Sequence, residues 1–498
     1  MAELRTWCRL SECGIALKAE VEGDQIRSLV PDDQSPMGKG IPCVLCTQST
    51  GARTDRRRLT RPLRRNGDRW EEVSWDQALD EIGAKLKEIR ARTGPRSLGI
   101  YTGAPVGLHL HGVVRSLAVA LGWGTPSLFS PLSVRGGPWL RATEWVMGRI
   151  APLQGDIGRT HYLLLLGANQ EAQGVGPLQT GPRLLADLAF SRKTKNTKVV
   201  AVDPRRTPLA ASADLHLKCL PGTELYFLLG MIQAILQNRW YDEQYVRDYT
   251  TGFAPIQQIL APWTLERCAA ACGLAPADIQ AVALKFSRAA MALGWRSEQS
   301  LNSTHGTLTA WALLVLHALT ANLLRPGGIY ENRGVFDLRP IAGRLPTHKA
   351  PRSRVGGYPL LLLQAPGSIL AEELSTPGEG QLRALICLHG DPLHEQPGGD
   401  QLAQGLRDLE LLVCTDLAEN HTTKLAHWIL PSTHAWERSD LRLLDSPLLP
   451  FRMAARTDAL VSAPGEAKGE EWILAELFRR VGPSWRGGHF GPHLRLMG

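Results

Sequence analysis

Five apolar runs in this 498-residue chain end on a polar or glycine-containing turn: "HYLLLLGAN" at 161–169, "TKVVAVDPRR" at 197–206, "LRALICLHGDP" at 382–392, "LELLVCTDLAEN" at 409–420 and "HWILPST" at 427–433. None alternates apolar and polar residues, as a strand with one wet face would. A strand that is apolar on both faces must be covered on both, and the usual cover is helix. Helix-like stretches at 178–190, 223–238 and 398–408 supply it. "SLGIYTG" at 97–103 reads as one more buried strand. "VSWDQALDEIGAKLKEIRART" at 73–93 reads as a helix, with Ser74 as its cap and Gln77 at the capping-box position. Its Leu79, Ile82, Leu86 and Ile89 make one apolar stripe, the mark of core packing. The pattern predicts an α/β fold, with doubly wound parallel sheets covered by helices. In such sheets ligands bind beyond the carboxyl ends of the strands. Here those ends carry "GANQ", "DPRRT", "HGDP" and "TDLAEN", so a nucleotide-like ligand would lie there.

Length alone predicts about two to four domains. With 44% hydrophobic and 21% charged residues the composition is that of a soluble globular protein. The net charge of +8 suits nucleic acid, anionic lipid or an acidic cofactor. Its densest source is "RTDRRRLTRPLRRNGDR" at 53–69, which reads as a solvated loop, a polyanion contact or a contact to a phosphate-rich cofactor. "MAELRTWC" has no apolar signal segment, and the longest apolar run, 308–324, carries His317 and Asn322 and reads as a buried helix rather than a membrane span. A reducing, cytoplasmic setting is therefore expected. Residues 331–380, rich in Pro, Gly and basic residues, read as a long surface connection that could bind a partner.

Four of the nine cysteines, Cys8, Cys13, Cys43 and Cys46, flank one short segment. Between them "IALKAEVEGDQIRSLV" at 15–30 largely alternates, as a hairpin turning at "EGDQ" does. A small β unit of this kind could bring both pairs together. In a reducing compartment clustered cysteines are more often metal ligands than disulfides. C-x4-C, a gap of 29 and C-x2-C can supply four ligands to zinc or to a [4Fe–4S] cluster. Unrelated core thiols are the plainer reading, and Cys219, Cys268, Cys272, Cys387 and Cys414, set in apolar strands or on helix faces, fit it.

Six segments in order resemble the molybdopterin oxidoreductase family, which includes formate dehydrogenases, nitrate reductases and dimethyl sulfoxide reductases. They are "CGIALKAEVEGDQIRSLVPDDQSPMGKGIPC", "RLTRPLRRNGDRWEEVSWDQALDEIGAKLKEIR", "LLLLGANQEAQG", "VVAVDPRRTPLAASADLHLKCLPGTE", "HGDPLHEQP" and "HWILPSTHAWERSD". The resemblance implies a small N-terminal β-rich Fe–S domain at 1–58, an α/β domain built from 59–101 and 331–498, and an inserted α/β domain at 102–330. It implies a [4Fe–4S] cluster at Cys8, Cys13, Cys43 and Cys46, and molybdopterin guanine dinucleotide carrying Mo or W. Gly167 and Asn169 would lie near one dinucleotide. Asp203 would accept from a guanine edge, with Arg205, Thr207, Gly222 and Thr223 close by. Gly390, Asp391 and Pro392 would serve the other dinucleotide. Formate or a similar small oxyanion is the implied substrate class. Other protein subunits and an electron-transfer partner are implied as partners, with no nucleic acid.

The sequence departs from the family pattern in three places. Ser11 stands where a second cysteine is usual, and Leu45 and Cys46 stand where the family carries Lys-Gly. No cysteine occurs in "TPSLFSPLSVRGG" at 125–137, where a metal ligand is often found. Ser130, flanked by Ser127 and Ser133, is the candidate there, and His305 and Arg135 are candidate active-site polar residues. Lastly, the sequence stops at "GPHLRLMG", where the family's final β-rich domain is expected, so another subunit is expected to carry that domain. Two readings result: a molybdopterin oxidoreductase subunit, or a degenerate paralog serving as a scaffold or electron-relay subunit.

Overall fold

The unbroken apolar runs become buried parallel strands. The structure, a computed structural model, describes residues 2–11, 13–168, 184–337, 351–443, 446–449 and 452–484. A seven-stranded sheet runs in the order Arg69–Glu72, Leu63–Asn66, Trp428–Pro431, Leu411–Asp416, Ala384–Leu388, Leu98–Thr102, Leu128–Phe129. The last five are mutually parallel, and Ala384 sits opposite both Leu98 and Leu411. The first two form an antiparallel hairpin that joins the edge of Trp428–Pro431. A four-stranded sheet, Leu215–Leu217, Lys198–Val202, Tyr162–Leu166, Ala292–Arg296, is wholly parallel. Ala2–Trp7, Ala16–Glu22 and Gln25–Pro31 make an antiparallel N-terminal sheet.

The edge hairpin begins inside the basic stretch at 53–69 and runs three residues past it. Its signal is a two-residue Gly67-Asp68 turn between Asn66 and Arg69. The same dipeptide, Gly23-Asp24, closes the expected N-terminal hairpin.

The chain divides into two compact units. One comprises Met1–Val134, Arg344–Asp445 and Ala454–Gly498, and holds the N-terminal and seven-stranded sheets. The other comprises Arg135–Gly343 and Ser446–Met453, and holds the four-stranded sheet. In the first unit the helix Trp75–Thr93 buries Leu79, Ile82, Leu86 and Ile89, each contributing about 1.5–3 kcal/mol relative to exposure. They share a core with Ile473, Leu474 and Leu477 of the helix Glu470–Val481. Ser74 caps the first helix by accepting from Gln77 N at 3.2 Å. The Gln77 side chain turns to Glu81 instead of closing a capping box. In the second unit the run at 308–324 forms the buried helix Gly306–Leu319. Its His317 is satisfied by Gly294 N–H at Nε2 (2.9 Å) and Leu313 O at Nδ1 (2.7 Å). Burial lowers the His317 pKa to about 4, so the ring is neutral. Among the described residues no helix is long and apolar enough to cross a membrane.

Candidate functional site

The cysteine site is built by two turns. Cys8 follows the first strand, and its N–H donates to Ile15 O at 2.8 Å, closing a loop over residues 8–15. Cys43 caps the short helix Val44–Thr47, which carries Cys46 on its first turn. The sulfurs of Cys8, Cys43 and Cys46 all lie within 4.8 Å of one another, and all three residues are fully buried. Three thiols this close share charge. Hydrogen bonds from Cys46 and Cys8 hold Cys43 well below the ordinary thiol range. Burial and Cys43 push Cys8 up, and Cys43, Cys8 and burial push Cys46 up. Cys13 is half-buried on the rim of the same apolar cluster and is not part of this trio.

Residues 434–442 lie against the cysteine turn. The Arg442 guanidinium donates to Cys8 O at 2.8 Å. It passes over Gly14, whose φ is +59°, and a Cβ there would stand 2.6 Å from Arg442 Nη1. Arg9 donates to the carbonyls of Ala435 and Arg438, and Trp436 Nε1 donates to Ser49 Oγ at 2.8 Å. The segment begins just past the carboxyl end of the strand Trp428–Pro431. Sulfur site and strand end are thus tied by hydrogen bonds within one unit.

At the carboxyl ends of this sheet the strand order reverses between Leu98–Thr102 and Ala384–Leu388. The two backbones touch there: a Cβ on Gly103 would sit 1.8 Å from His389 O. His389 has a φ of +47°, a strained value for a residue with a side chain. Its Nε2 lies 2.5 Å from Ser432 Oγ and 3.5 Å from Glu470. Glu470, fully buried, pairs with Arg438 and lies 3.5 Å from His109. Burial would raise the Glu470 pKa, but Arg438 and His389 outweigh it and bring it to about 2. Around this charge cluster Thr415 Oγ1, Thr433 Oγ1, Arg438 Nε and both Nε and Nη1 of Arg9 are buried with no hydrogen-bond partner among the described residues. Gly390 and Asp391 follow His389. The Asp391 carboxylate accepts from Thr422 Oγ1 (2.6 Å), Thr422 N (3.1 Å), His421 Nδ1 (2.9 Å) and His421 N (3.3 Å). Burial opposes its charge, yet these donors hold its pKa below the usual value. Pro392 opens the short helix that follows.

The second unit shows the same arrangement. Its strand order reverses between Tyr162–Leu166 and Ala292–Arg296. Gly167, with a φ of +58°, leaves the first of these, and Asn169 lies outside the described residues. Asp203, 3% exposed, ends the neighbouring strand and accepts from Arg205 N at 2.8 Å, while the Arg205 side chain stands out into solvent. Thr207 caps the helix Pro208–Ser212. Gly222 and Thr223 precede the helix Glu224–Gln237. Glu224 Oε2 and Ser303 Oγ are buried without a hydrogen-bond partner among the described residues, and Ser303 Cβ would lie 3.8 Å from a Cβ at Gly222. Burial raises the Glu224 pKa.

The chain matches the family model described as molybdopterin oxidoreductase over residues 58–480. The chain belongs to the molybdopterin oxidoreductase family. It is 26% identical over 522 aligned residues to a nitrate reductase of Symbiobacterium thermophilum, covering 96% of this chain and 66% of that protein. It is 23% identical to the putative formate dehydrogenase YrhE of Bacillus subtilis, covering 97% of this chain and 50% of that protein. Its fold is shared with acetylene hydratase from Pelobacter acetylenicus, at a TM-score of 0.81 and 23% identity over 96% of this chain and 69% of that one. The chain thus spans between half and about two thirds of these relatives.

Membership implies a pterin cofactor with Mo or W, and the donor set suits it. Both sheets have a strand-order reversal, the place where such sheets bind ligands, and orphaned buried polar atoms lie near each strand-end region. The three thiols suit attachment of an inorganic cluster. The remaining candidates are placed as follows. Ser130 Oγ pairs with Gln364 and accepts from Leu132 N at 3.1 Å, as a turn residue does. The His305 ring lies edge-on to Tyr226. Arg135 is exposed just ahead of the helix Gly137–Met147. Several arginines of 53–69 are taken up inside the chain: Arg57 by Asp55, Arg58 by Glu437, Arg61 by Glu72, Arg64 by Glu71 and Glu81, and Arg65 by two backbone carbonyls. That pairing favours the reading of a structural surface stretch over one that grips a polyanion. Sequence reasoning missed His389, Arg438 and Glu470, whose charges meet only after folding.

Proposed function

We propose that the chain is an oxidoreductase subunit that holds a Mo or W bis-pterin guanine dinucleotide and one [4Fe–4S] cluster, and that works on formate or a similar small oxyanion. The observation that carries this reading is the hydrogen-bonded link, inside one unit, from the cysteine turn through Arg9 and Arg442 to the strand end at His389 and Arg438. When bound, the metal would exchange two electrons with substrate and the cluster would pass electrons singly. The chain's own residues bind and orient. Asp203 offers a buried carboxylate to the N–H edge of guanine, and the exposed Arg205 guanidinium, whose Nε lies 3.9 Å from that carboxylate, offers donors to phosphate. Gly167, Gly222 and Thr223 let the backbone approach on that side, and Gly390, Asp391 and Pro392 shape the loop on the other. Asp391 acts by holding Thr422 and His421 in place. His389 sits between Ser432 and Glu470, and against the opposing effect of burial Glu470 raises its pKa. The guanidinium groups of Arg9 and Arg438 present unmet donors to an anionic ligand. Other subunits, including an electron-transfer partner, would draw electrons from the cluster.

The test is metal analysis of the native complex together with formate-dependent reduction of a dye. Mo or W in stoichiometric amount with formate turnover supports the proposal. Mo or W with turnover of another small oxyanion keeps the cofactor and changes the substrate. A second reading, favoured by Leu45 and Cys46 standing in place of Lys-Gly, is a scaffold or electron-relay subunit. It requires iron with neither Mo nor W.

A further inference from the structure

The three buried thiols leave one corner of a four-ligand site to be filled, and the residue inside that corner is a serine. Ser11 Oγ lies 3.1 Å from Cys8 Sγ and 3.5 Å from Cys43 Sγ. Ser11 is 2% exposed, and the three cysteines belong to a buried apolar cluster with Ile15, Leu17 and Trp436. The spacing is symmetrical: Cys8-x2-Ser11 on one turn faces Cys43-x2-Cys46 on the other. An i, i+3 pair on a tight turn puts both donor atoms on one side, which is why such spacings recur at metal sites. Cys13, two residues on, is half-buried and outside the trio.

We infer that Ser11 Oγ completes the ligand set with Cys8, Cys43 and Cys46, and that Cys13 is not a ligand. The inference rests on the reading that these thiols hold a [4Fe–4S] cluster. On ligation an Fe–O bond forms to Oγ and the hydroxyl proton leaves to solvent, as each thiol proton does when its sulfur binds. No oxidation state changes in that step. An alkoxide is a harder donor than a thiolate and favours ferric over ferrous iron. The cluster should therefore be harder to reduce than its all-cysteine counterpart.

The experiment uses the native complex purified without oxygen, as wild type, Ser11→Ala, Ser11→Cys and Cys13→Ser. The readouts are iron, sulfide and zinc content, and the electron paramagnetic resonance spectrum of oxidised and reduced protein. Wild type should carry about four iron atoms per chain, and Cys13→Ser should match it in content and spectrum. Ser11→Ala should fall to about three irons, with the signal of a three-iron cluster in the oxidised state. Ser11→Cys should keep about four, change the reduced-state g values and raise the reduction potential. Loss of iron in Cys13→Ser would overturn the inference, as would a Ser11→Cys spectrum identical to wild type or a Ser11→Ala protein with its full iron. Should Ser11→Ala fail to accumulate, Ser11→Cys and Cys13→Ser decide. Zinc without iron or sulfide in wild type would instead overturn the cluster reading beneath it.

Discussion

Glu470 sets the charge balance of the larger unit. It is fully buried and compensates Arg438, with His389 and His109 each 3.5 Å away. Removing one partner of such a group strands the other, at a cost of about 3–5 kcal/mol. Glu470→Gln should therefore lower stability by about that much at neutral pH, read as a drop in Tm of this unit. The pH dependence follows by sign. The Glu470 pKa is depressed to about 2, so its contribution is present above the ordinary carboxylate range and is lost as pH falls toward 2. His434, a base held down to about 3 by burial and by Arg58, adds a loss that starts as pH falls below its ordinary value of about 6.5. The raised pKa of His389 acts the other way, its contribution fading as pH rises through the raised value. Wild type should lose stability on the acid side in two stages, and Glu470→Gln should lack the later one. In the other unit, Asp203→Asn keeps an acceptor for Arg205 N but removes the carboxylate. Retained guanine nucleotide should fall several-fold with little change in Tm. An Asp203→Asn protein that keeps its full nucleotide would show that the carboxylate plays no part. The C-x2-C spacing marked Cys43 and Cys46 in the sequence, and the structure gathers their sulfurs with that of Cys8, a grouping that spacing alone does not give because the partner sits 35 residues away. Glu470 gave no signal at all, since an acid at the start of a helix ordinarily reads as a favourable charge at the helix N-terminus.

At the scale of elements, the parallel strands were legible because each is apolar on both faces, and their reversal points place both crevices. Gly103 is where two strand ends meet, with no room for a methyl group beside His389 O. Gly103→Ala should destabilise the unit by about 1–3 kcal/mol or more and spread the strand ends, measured by urea unfolding and by loss of bound cofactor. Ser74→Ala should cost about 1 kcal/mol and leave cofactor content unchanged, because it touches only the cap of the helix Trp75–Thr93. The edge hairpin at 63–72 was hidden by its charge. Five of its eight strand residues are Arg or Glu, and the exposed pairs Arg64–Glu71 and Arg61–Glu72 suit an edge that must not recruit another strand.

For the whole molecule, two largely parallel sheets each reverse strand order at a point flanked by glycine and by buried polar atoms without partners among the described residues, and the larger sheet is tied by hydrogen bonds to a trio of thiols. Relatives named for nitrate and formate match most of this chain and acetylene hydratase shares its fold, so the fold alone does not set the substrate. The most direct test of the account is the GMP released by acid from the native protein, quantified per chain. The account predicts release of about one to two equivalents, in step with the Mo or W content. Protein of full iron content that releases no GMP would contradict it.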